Sequence, residues 1–417
     1  MRSVCDSPAG LISLDAAVAR LVERLEPPAG DERLPIAAAL GRVLATDLLA
    51  PMDLPPFTQS AMDGYAVRAD EGQPGASLQL VGTALAGRPF DGRVGPGECV
   101  RVFTGACLPS GADAVVVQER VEHQGRTVTL RVSRPVCRQD NVRQQGEERA
   151  VGDRLLTAGQ VLGPAEIGLL ASVGCPEVTV RRRLRVAFLV TGDELIAPGQ
   201  PLMPGCIYDS NRPVLAALLT DPCLEVTDLG RVADDREALR RALLDGAARA
   251  DVLLTAGGAS VGDADFVVDL LQEAGQVEFW KVAIKPGKPF VFGRLGQTPV
   301  FGLPGNPVSL MITFEHLAKP ALQWLAGQPA SRPLRWPAMC RTAIRKAPGR
   351  LEFMRGWLDW QDGGPAVTVL AEQGSHRLTS MTRANCYVVL PPDCAGVEAG
   401  SWVEVEPFGT AARRALP

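Results

Sequence analysis

From about residue 185 the chain alternates three short apolar runs, at 186–190, 252–255 and 300–303, with segments whose apolar residues recur at helical spacing. Such alternation predicts a parallel sheet covered by helices. Ligands of open sheets of this kind sit beyond the carboxyl ends of the strands, and two of the runs end in glycine-rich turns. One turn is Gly257-Gly258-Ala259-Ser260-Val261-Gly262-Asp263-Ala264-Asp265; the other is Gly302-Leu303-Pro304-Gly305-Asn306-Pro307-Val308-Ser309, with Pro307 suited to the first turn of a helix. Glycine lets backbone amides approach a phosphate closely, and a helix start adds about half a positive charge. A plain strand-to-helix turn would need neither the run of small residues nor the two carboxylates. Together the turns suggest an extended anionic ligand.

Between them lies Lys281-Val282-Ala283-Ile284-Lys285-Pro286-Gly287-Lys288-Pro289. Strand alternation sets Lys281 and Lys285 on one side, and the Pro-Gly turn carries Lys288 outward. The neighbouring Phe279, Trp280, Phe290 and Phe292 predict a largely buried segment, where lysine rarely sits without a partner. The expectation is three cations converging near two anion-binding turns. Carboxylates accompany them: Glu194 where the first strand ends, Asp234 and Asp235 before a predicted helix over 235–248, and Asp263 and Asp265 in the glycine turn. Asp234 or Asp235 could equally cap that helix. With no histidine set to support a transition metal, the group fits Mg²⁺, which uses one or two carboxylates beside phosphate oxygens and water.

Composition bounds the rest. A chain of 417 residues exceeds what one core usually serves. No apolar run approaches the roughly 18 residues of a membrane span, and the N-terminus lacks the pattern of a secretion signal, so a soluble, cytoplasmic protein is expected. The ten cysteines are scattered and read as reduced, mostly buried thiols. With a net charge of -4 and only Arg181-Arg182-Arg183 as a basic cluster, read as a solvated linker, nucleic acid is not an expected partner. Helical spacing over 13–25, with Ser13 or Asp15 as cap, precedes short alternating strands over 51–149. Helix is expected again over 155–173, with Pro164 in its first turn, and strands return after residue 329.

Ser60-Ala61-Met62-Asp63-Gly64-Tyr65-Ala66, Thr104-Gly105-Ala106, Thr191-Gly192-Asp193-Glu194-Leu195, the segments 257–262 and 302–309 and the lysine segment 281–289 together resemble the MoeA family. The same module occurs in the E domain of gephyrin and in the plant molybdenum insertase. The likeness runs in order along essentially the whole chain. It implies a multidomain α/β plus all-β protein: an N-terminal helical domain (1–50 with 150–180), a β-rich insertion (51–149), a three-layer α/β/α molybdopterin-binding domain (181–328) and a C-terminal β-barrel-like domain (329–417). The implied activity is a molybdenumtransferase that inserts molybdate into adenylylated molybdopterin, with Mg²⁺, and releases AMP. A homodimer with a shared cleft is implied, with an upstream adenylyltransferase and downstream molybdoenzymes as further partners.

Residue by residue, the resemblance implies Asp63, Thr104, Glu194, Asp234, Asp265, Lys281 and Lys285 as catalytic, the metal falling to Glu194, Asp234 and Asp265. Substrate binding falls to Gly257, Gly258, Ser260, Gly262, Lys288, Pro304, Gly305, Asn306, Arg355 and Ser375. Arg355 follows Glu352-Phe353-Met354, and Ser375 stands in Gly374-Ser375-His376; guanidinium and hydroxyl are both donors for a tetrahedral oxyanion. Glu148 stands where the family carries aspartate. Two alternatives stay open at this level: a molybdopterin adenylyltransferase, which shares the α/β module but has no need of the other domains, and a gephyrin-like scaffold without catalysis.

Overall fold

The computed structural model describes residues 11–258, 266–361 and 363–408. The chain divides into two units, Arg33–Leu40 with Leu44–Thr179, and Met1–Glu32 with Gly41–Val43 and Val180–Pro417.

The first of these units is built on a six-stranded sheet in the order Ala114–Val117, Gly64–Val67, Glu98–Val102, Ser77–Ala84, Thr127–Leu130, Val121–Gln124. Apolar residues cluster on both sides of it, with Val67, Cys99 and Val116 in one cluster and Ala66, Val100 and Val115 in the other. Gly64 is obligatory, since a Cβ there would lie 2.2 Å from the Val116 carbonyl oxygen across the ladder. The helix expected over 155–173 is shorter than predicted. Arg154–Leu156 is a strand, and the helix runs Pro164–Ser172. The turn at Gly159 (φ 84°) separates the two, and Pro164 starts the helix where its missing N–H costs nothing.

The second unit carries the α/β layers and the C-terminal barrel. Its sheet runs Leu224–Val232, Leu184–Thr191, Val252–Ala256, Thr298–Leu303, Pro289–Leu295, Gly275–Lys281. The first four strands are parallel; Pro289–Leu295 runs opposite to them, and Gly275–Lys281, antiparallel to Pro289–Leu295, returns to their direction. The sheet is therefore mixed, where the sequence predicted a parallel one. The cause is local: Leu295 pairs with Thr298, so only Gly296 and Gln297 turn the chain, with Gly296 at φ 59°. Phe290, Phe292 and Phe301 are wholly buried and stacked across that hairpin, each worth about 2–3 kcal/mol of burial.

Helices cover both faces. Leu14–Arg24 is capped by Ser13, whose Oγ accepts from the Ala16 N–H, and its Ala17, Val18 and Leu21 join the core with helix Lys319–Leu325. On the other face Arg236–Arg249 buries Leu239 and Leu243 against Ala187, Leu189 and Leu253. The predicted linker Arg181-Arg182-Arg183 is more than a solvated stretch. Arg182 donates to both oxygens of Asp251, at 2.6 and 3.0 Å, and Arg181 pairs with Asp31. Nine cysteines are free among the described residues, but only Cys99, Cys223, Cys340 and Cys386 are buried, fewer than expected.

The C-terminal strands close on themselves. Leu351–Gln361, Gly364–Val369, Trp336–Cys340, Trp402–Pro407 and Cys386–Leu390 pair in turn, and Cys386–Leu390 pairs back to Leu351–Gln361. Ile284–Lys285, from the α/β layers, adds in parallel to the barrel strand Leu351–Gln361. That pairing carries the barrel's residues to the edge of the mixed sheet.

Candidate active site

All four parallel strands end at one edge. Leu184–Thr191 leads to Glu194, Leu224–Val232 to Asp234, Val252–Ala256 to Gly257 and Gly258, and Thr298–Leu303 to Pro304, Gly305 and Asn306. The antiparallel strand Pro289–Leu295 begins at this edge, so Lys288 arrives beside them. These residues line one cleft of about 730 Å³, together with Arg350, Ser375 and His376 from the barrel. The cleft thus lies where sheet topology places ligands.

Its glycines are shaped by the backbone. Gly257 (φ 91°) and Gly258 (φ 66°) occupy the left-handed region, and a Cβ on Gly257 would lie 2.8 Å from the Thr191 carbonyl oxygen. Ser260, Gly262 and Asp265 of the same turn lie outside the described residues. The two acidic residues before helix Arg236–Arg249 divide their labour. Asp235 is its cap, accepting from the Ala238 N–H at 2.7 Å, whereas Asp234 lines the cleft. Asp234 is also bound reciprocally to Asp193: each carboxylate accepts the other's backbone N–H, at 3.1 and 3.2 Å. Among the described residues no three His, Cys, Asp or Glu side chains cluster as a metal set; Glu194 and Asp234 are the carboxylates present on the cleft wall.

Of the three lysines expected to converge, only Lys288 lines the cleft. Lys281 is half-buried at the end of the outermost strand, and Lys285 extends to Glu352, with Nζ 2.8 Å from Oε1. The two lysines do not share one alternating strand: Lys281 ends a strand of the mixed sheet, whereas Ile284–Lys285 adds to the barrel, which turns Lys285 toward a partner there.

Arg355 also departs from expectation. It is 1% exposed and is not part of the cleft wall. Its Nε donates to Ser380 Oγ and its Nη2 to the carbonyls of Glu372 and Gly374, each at 3.2 Å. Burial lowers the pKa of this guanidinium, which has only neutral hydrogen-bond acceptors. The clamped loop presents Ser375, whose carbonyl accepts the Val308 N–H at 3.0 Å at the start of helix Pro307–Thr313. The arginine that does line the cleft is Arg350, which the sequence reading missed; it reaches the Ile284 carbonyl at 3.4 Å from the residue before the barrel strand. Asn211 and Tyr208 were missed as well. The one available signal was Tyr208-Asp209-Ser210-Asn211, a polar run opening a helix.

Asp63 and Thr104 belong to the other unit and meet there. Asp63 Oδ1 accepts from both the N–H and the hydroxyl of Thr104 at 2.8 Å, and these two bonds lower its pKa. Glu148 lies in that unit too.

Comparison with known proteins agrees with this architecture. The family description "MoeA N-terminal region (domain I and II)" matches residues 12–174, "Probable molybdopterin binding domain" matches 187–324, and "MoeA C-terminal region (domain IV)" matches 337–408. A molybdopterin molybdenumtransferase of Haemophilus influenzae is 40% identical over 402 residues, covering 95% of this chain and 99% of its own. The chain belongs to the MoeA family. MoeA proteins of this kind are molybdopterin molybdenumtransferases, enzymes of molybdenum cofactor biosynthesis. Molybdopterin molybdenumtransferase 2 of Mycobacterium tuberculosis is 36% identical over 384 residues, 89% of this chain and 94% of the relative. The crystal structure of a MoeA protein from Pyrococcus horikoshii superposes with a TM-score of 0.82 at 28% identity, covering 95% of this chain and 100% of that one. The match to all three regions fixes the MoeA fold: N-terminal domains, a mixed-sheet molybdopterin-binding domain and a five-stranded C-terminal barrel.

Proposed function

We propose that this cleft binds adenylylated molybdopterin and molybdate, and that the enzyme transfers molybdenum to the pterin with release of AMP. The observation that carries the reading is that Lys288, Arg350 and Ser375 share one cleft wall with Glu194 and Asp234, beside the Gly257-Gly258 and Pro304-Gly305-Asn306 loops. Such a wall suits a ligand with several anionic groups. The glycine loops offer backbone amides to the phosphoryl groups, and Ser375 supplies a hydroxyl donor for the oxyanion substrate. Lys288 and Arg350 concentrate positive charge; opposite charges 4 Å apart gain about 4 kcal/mol at an effective dielectric of 20. Positioning and charge dominate, since phosphoryl transfer asks little covalent chemistry of the protein.

Two carboxylates beside bound phosphate are a donor set that Mg²⁺ accepts, so Glu194 and Asp234, with Asp265, would hold it. Bound there, it would neutralise charge on the phosphoryl oxygens. The reading keeps the domain limits given by the resemblance, catalytic roles for Lys281 and Lys285, and binding roles for Ser260 and Gly262. It includes a homodimer, with Asp63 and Thr104 serving the cleft of a second copy. A cytoplasmic site, supply by an adenylyltransferase and delivery to molybdoenzymes follow from the same reading. No described helix is long and apolar enough to cross a membrane.

Incubating the purified protein with adenylylated molybdopterin and Mg²⁺, with and without molybdate, tests it. AMP release that depends on molybdate, together with bound molybdenum, is expected. Lys288→Ala and Arg350→Ala should each raise the molybdate KM by about tenfold, the equivalent of about 1.4 kcal/mol. AMP release indifferent to molybdate would overturn the reading.

A further inference from the structure

Asn211 opens the helix Asn211–Leu218 and is 7% exposed. Its Nδ2 donates to the Gly305 carbonyl at 2.6 Å, while its buried Oδ1 has no partner among the described residues. The residue is held rigidly, because Asp209 accepts the Arg212 N–H at 3.0 Å and Arg212 Nε donates to Asp228 at 2.7 Å. An amide that leaves one of its own buried atoms unsatisfied in order to grip a loop carbonyl calls for an explanation.

The gripped peptide is trans, so the Gly305 C=O and the Asn306 N–H point to opposite sides of one plane. Fixing the carbonyl on the Asn211 side fixes the N–H on the other. Among the described residues the Asn306 N–H has no protein acceptor. Gly305 adds an independent clue. Its backbone is outside the left-handed region, and a Cβ there would meet only the Gly257 Cα, at 3.8 Å. The fold itself makes no demand for glycine at this position. The glycine does leave the backbone on the cleft side open to close approach by a ligand.

We propose that Asn211 is a positioning residue, which locks the Gly305–Asn306 peptide so that the Asn306 N–H is presented to an oxyanion or phosphoryl oxygen of the substrate. The inference rests on the anionic-ligand reading of the cleft. Without the lock the peptide is free to rotate and present its carbonyl, which repels an anion. Asn211 acts through the loop and does not touch the reacting atoms.

Asn211→Leu and Gly305→Ala test it in the full chain. Asn211→Leu keeps the shape, loses the donor and removes the orphaned acceptor; Gly305→Ala fills the approach without disturbing the fold. Both should lower the affinity for AMP, measured by calorimetry, and raise the KM for adenylylated molybdopterin by tenfold or more, with kcat changed far less. The thermal midpoint of Asn211→Leu should equal or exceed that of the parent, which a merely structural amide would not allow. Asn211→Asp, isosteric but repelling both the carbonyl and the ligand, should lose more affinity than Asn211→Leu and serves if Asn211→Leu fails to fold. Parental AMP affinity in Asn211→Leu, or in Asn211→Asp, would overturn the proposal. A parent that binds AMP but shows no molybdate-dependent turnover would instead overturn the assigned reaction, and the loss of AMP binding in the variants would still uphold the role of Asn211.

Discussion

Lys285 and Glu352 are joined by an ion pair of 2.8 Å at the point where the α/β layers and the barrel share a parallel pair of strands. Glu352 is 8% exposed, so its charge is shielded from water, whereas the Lys285 side chain is half exposed. Glu352→Gln should therefore cost about 1 kcal/mol in urea unfolding, and a double-mutant cycle with Lys285→Gln should show coupling of similar size. Strictly additive effects would mean that the pair contributes nothing.

Glu194 and Asp234 share the cleft wall, and Asp234 is steadied by Asp193. Glu194→Gln and Asp234→Asn are expected to raise the Mg²⁺ concentration for half-maximal AMP release by roughly tenfold or more. A magnesium titration left unmoved in both variants would place the metal elsewhere.

Arg355 donates to one hydroxyl and two loop carbonyls while 1% exposed. Three such bonds at about 1 kcal/mol each predict a loss near 3 kcal/mol for Arg355→Met. Lysine keeps the charge without the planar fork, so Arg355→Lys should recover little of it. The molybdate KM should rise in both, through Ser375. Recovery of full stability by lysine would show that charge alone matters.

Asp251 carries a pH signature. Burial raises its pKa, but hydrogen bonds from Arg182 and Arg185 outweigh this and leave it well below the ordinary carboxylate range. A carboxylate with a lowered folded pKa stabilises the protein above its unfolded pKa, and that contribution is lost as pH falls toward the folded value. Stability measured from pH 7 down through pH 4 and below should therefore fall less steeply in Asp251→Asn than in the parent, and the variant should be about 3 kcal/mol weaker at pH 7. Parallel pH profiles would contradict the assignment.

Thiol reactivity should follow burial. Burial raises the Cys99 and Cys386 thiols to about 12 and the Cys223 thiol to about 11, while Cys137 is exposed. Brief alkylation at pH 8, read by peptide mass, should label Cys137 ahead of Cys99, Cys223 and Cys386, which react only on unfolding. Early labelling of Cys386 would show that the barrel opens readily.

Much of this molecule is written locally. Ser13 caps the first helix, Pro164 and Pro307 start theirs, and glycines follow the strands that end at 256 and 303, because caps, fixed φ angles and left-handed backbone depend on a few neighbouring residues. The carboxylates Glu194 and Asp234 and the cation Lys288 were legible for the same reason, each standing at a strand end. Only the tertiary structure could separate Arg350 from Arg355. They lie five residues apart on one segment, yet one reaches the cleft and the other is sealed beneath the Ser375 loop, because barrel closure determines which face is interior. It also decided the reversed direction of Pro289–Leu295 within the sheet, the turning of Lys285 toward Glu352, and the grip of Asn211 on Gly305 across 94 positions. The sequence by itself determined the glycine-rich turns and the charges available to them; packing, which brings distant side chains within bonding distance, decided which of those charges line the cleft.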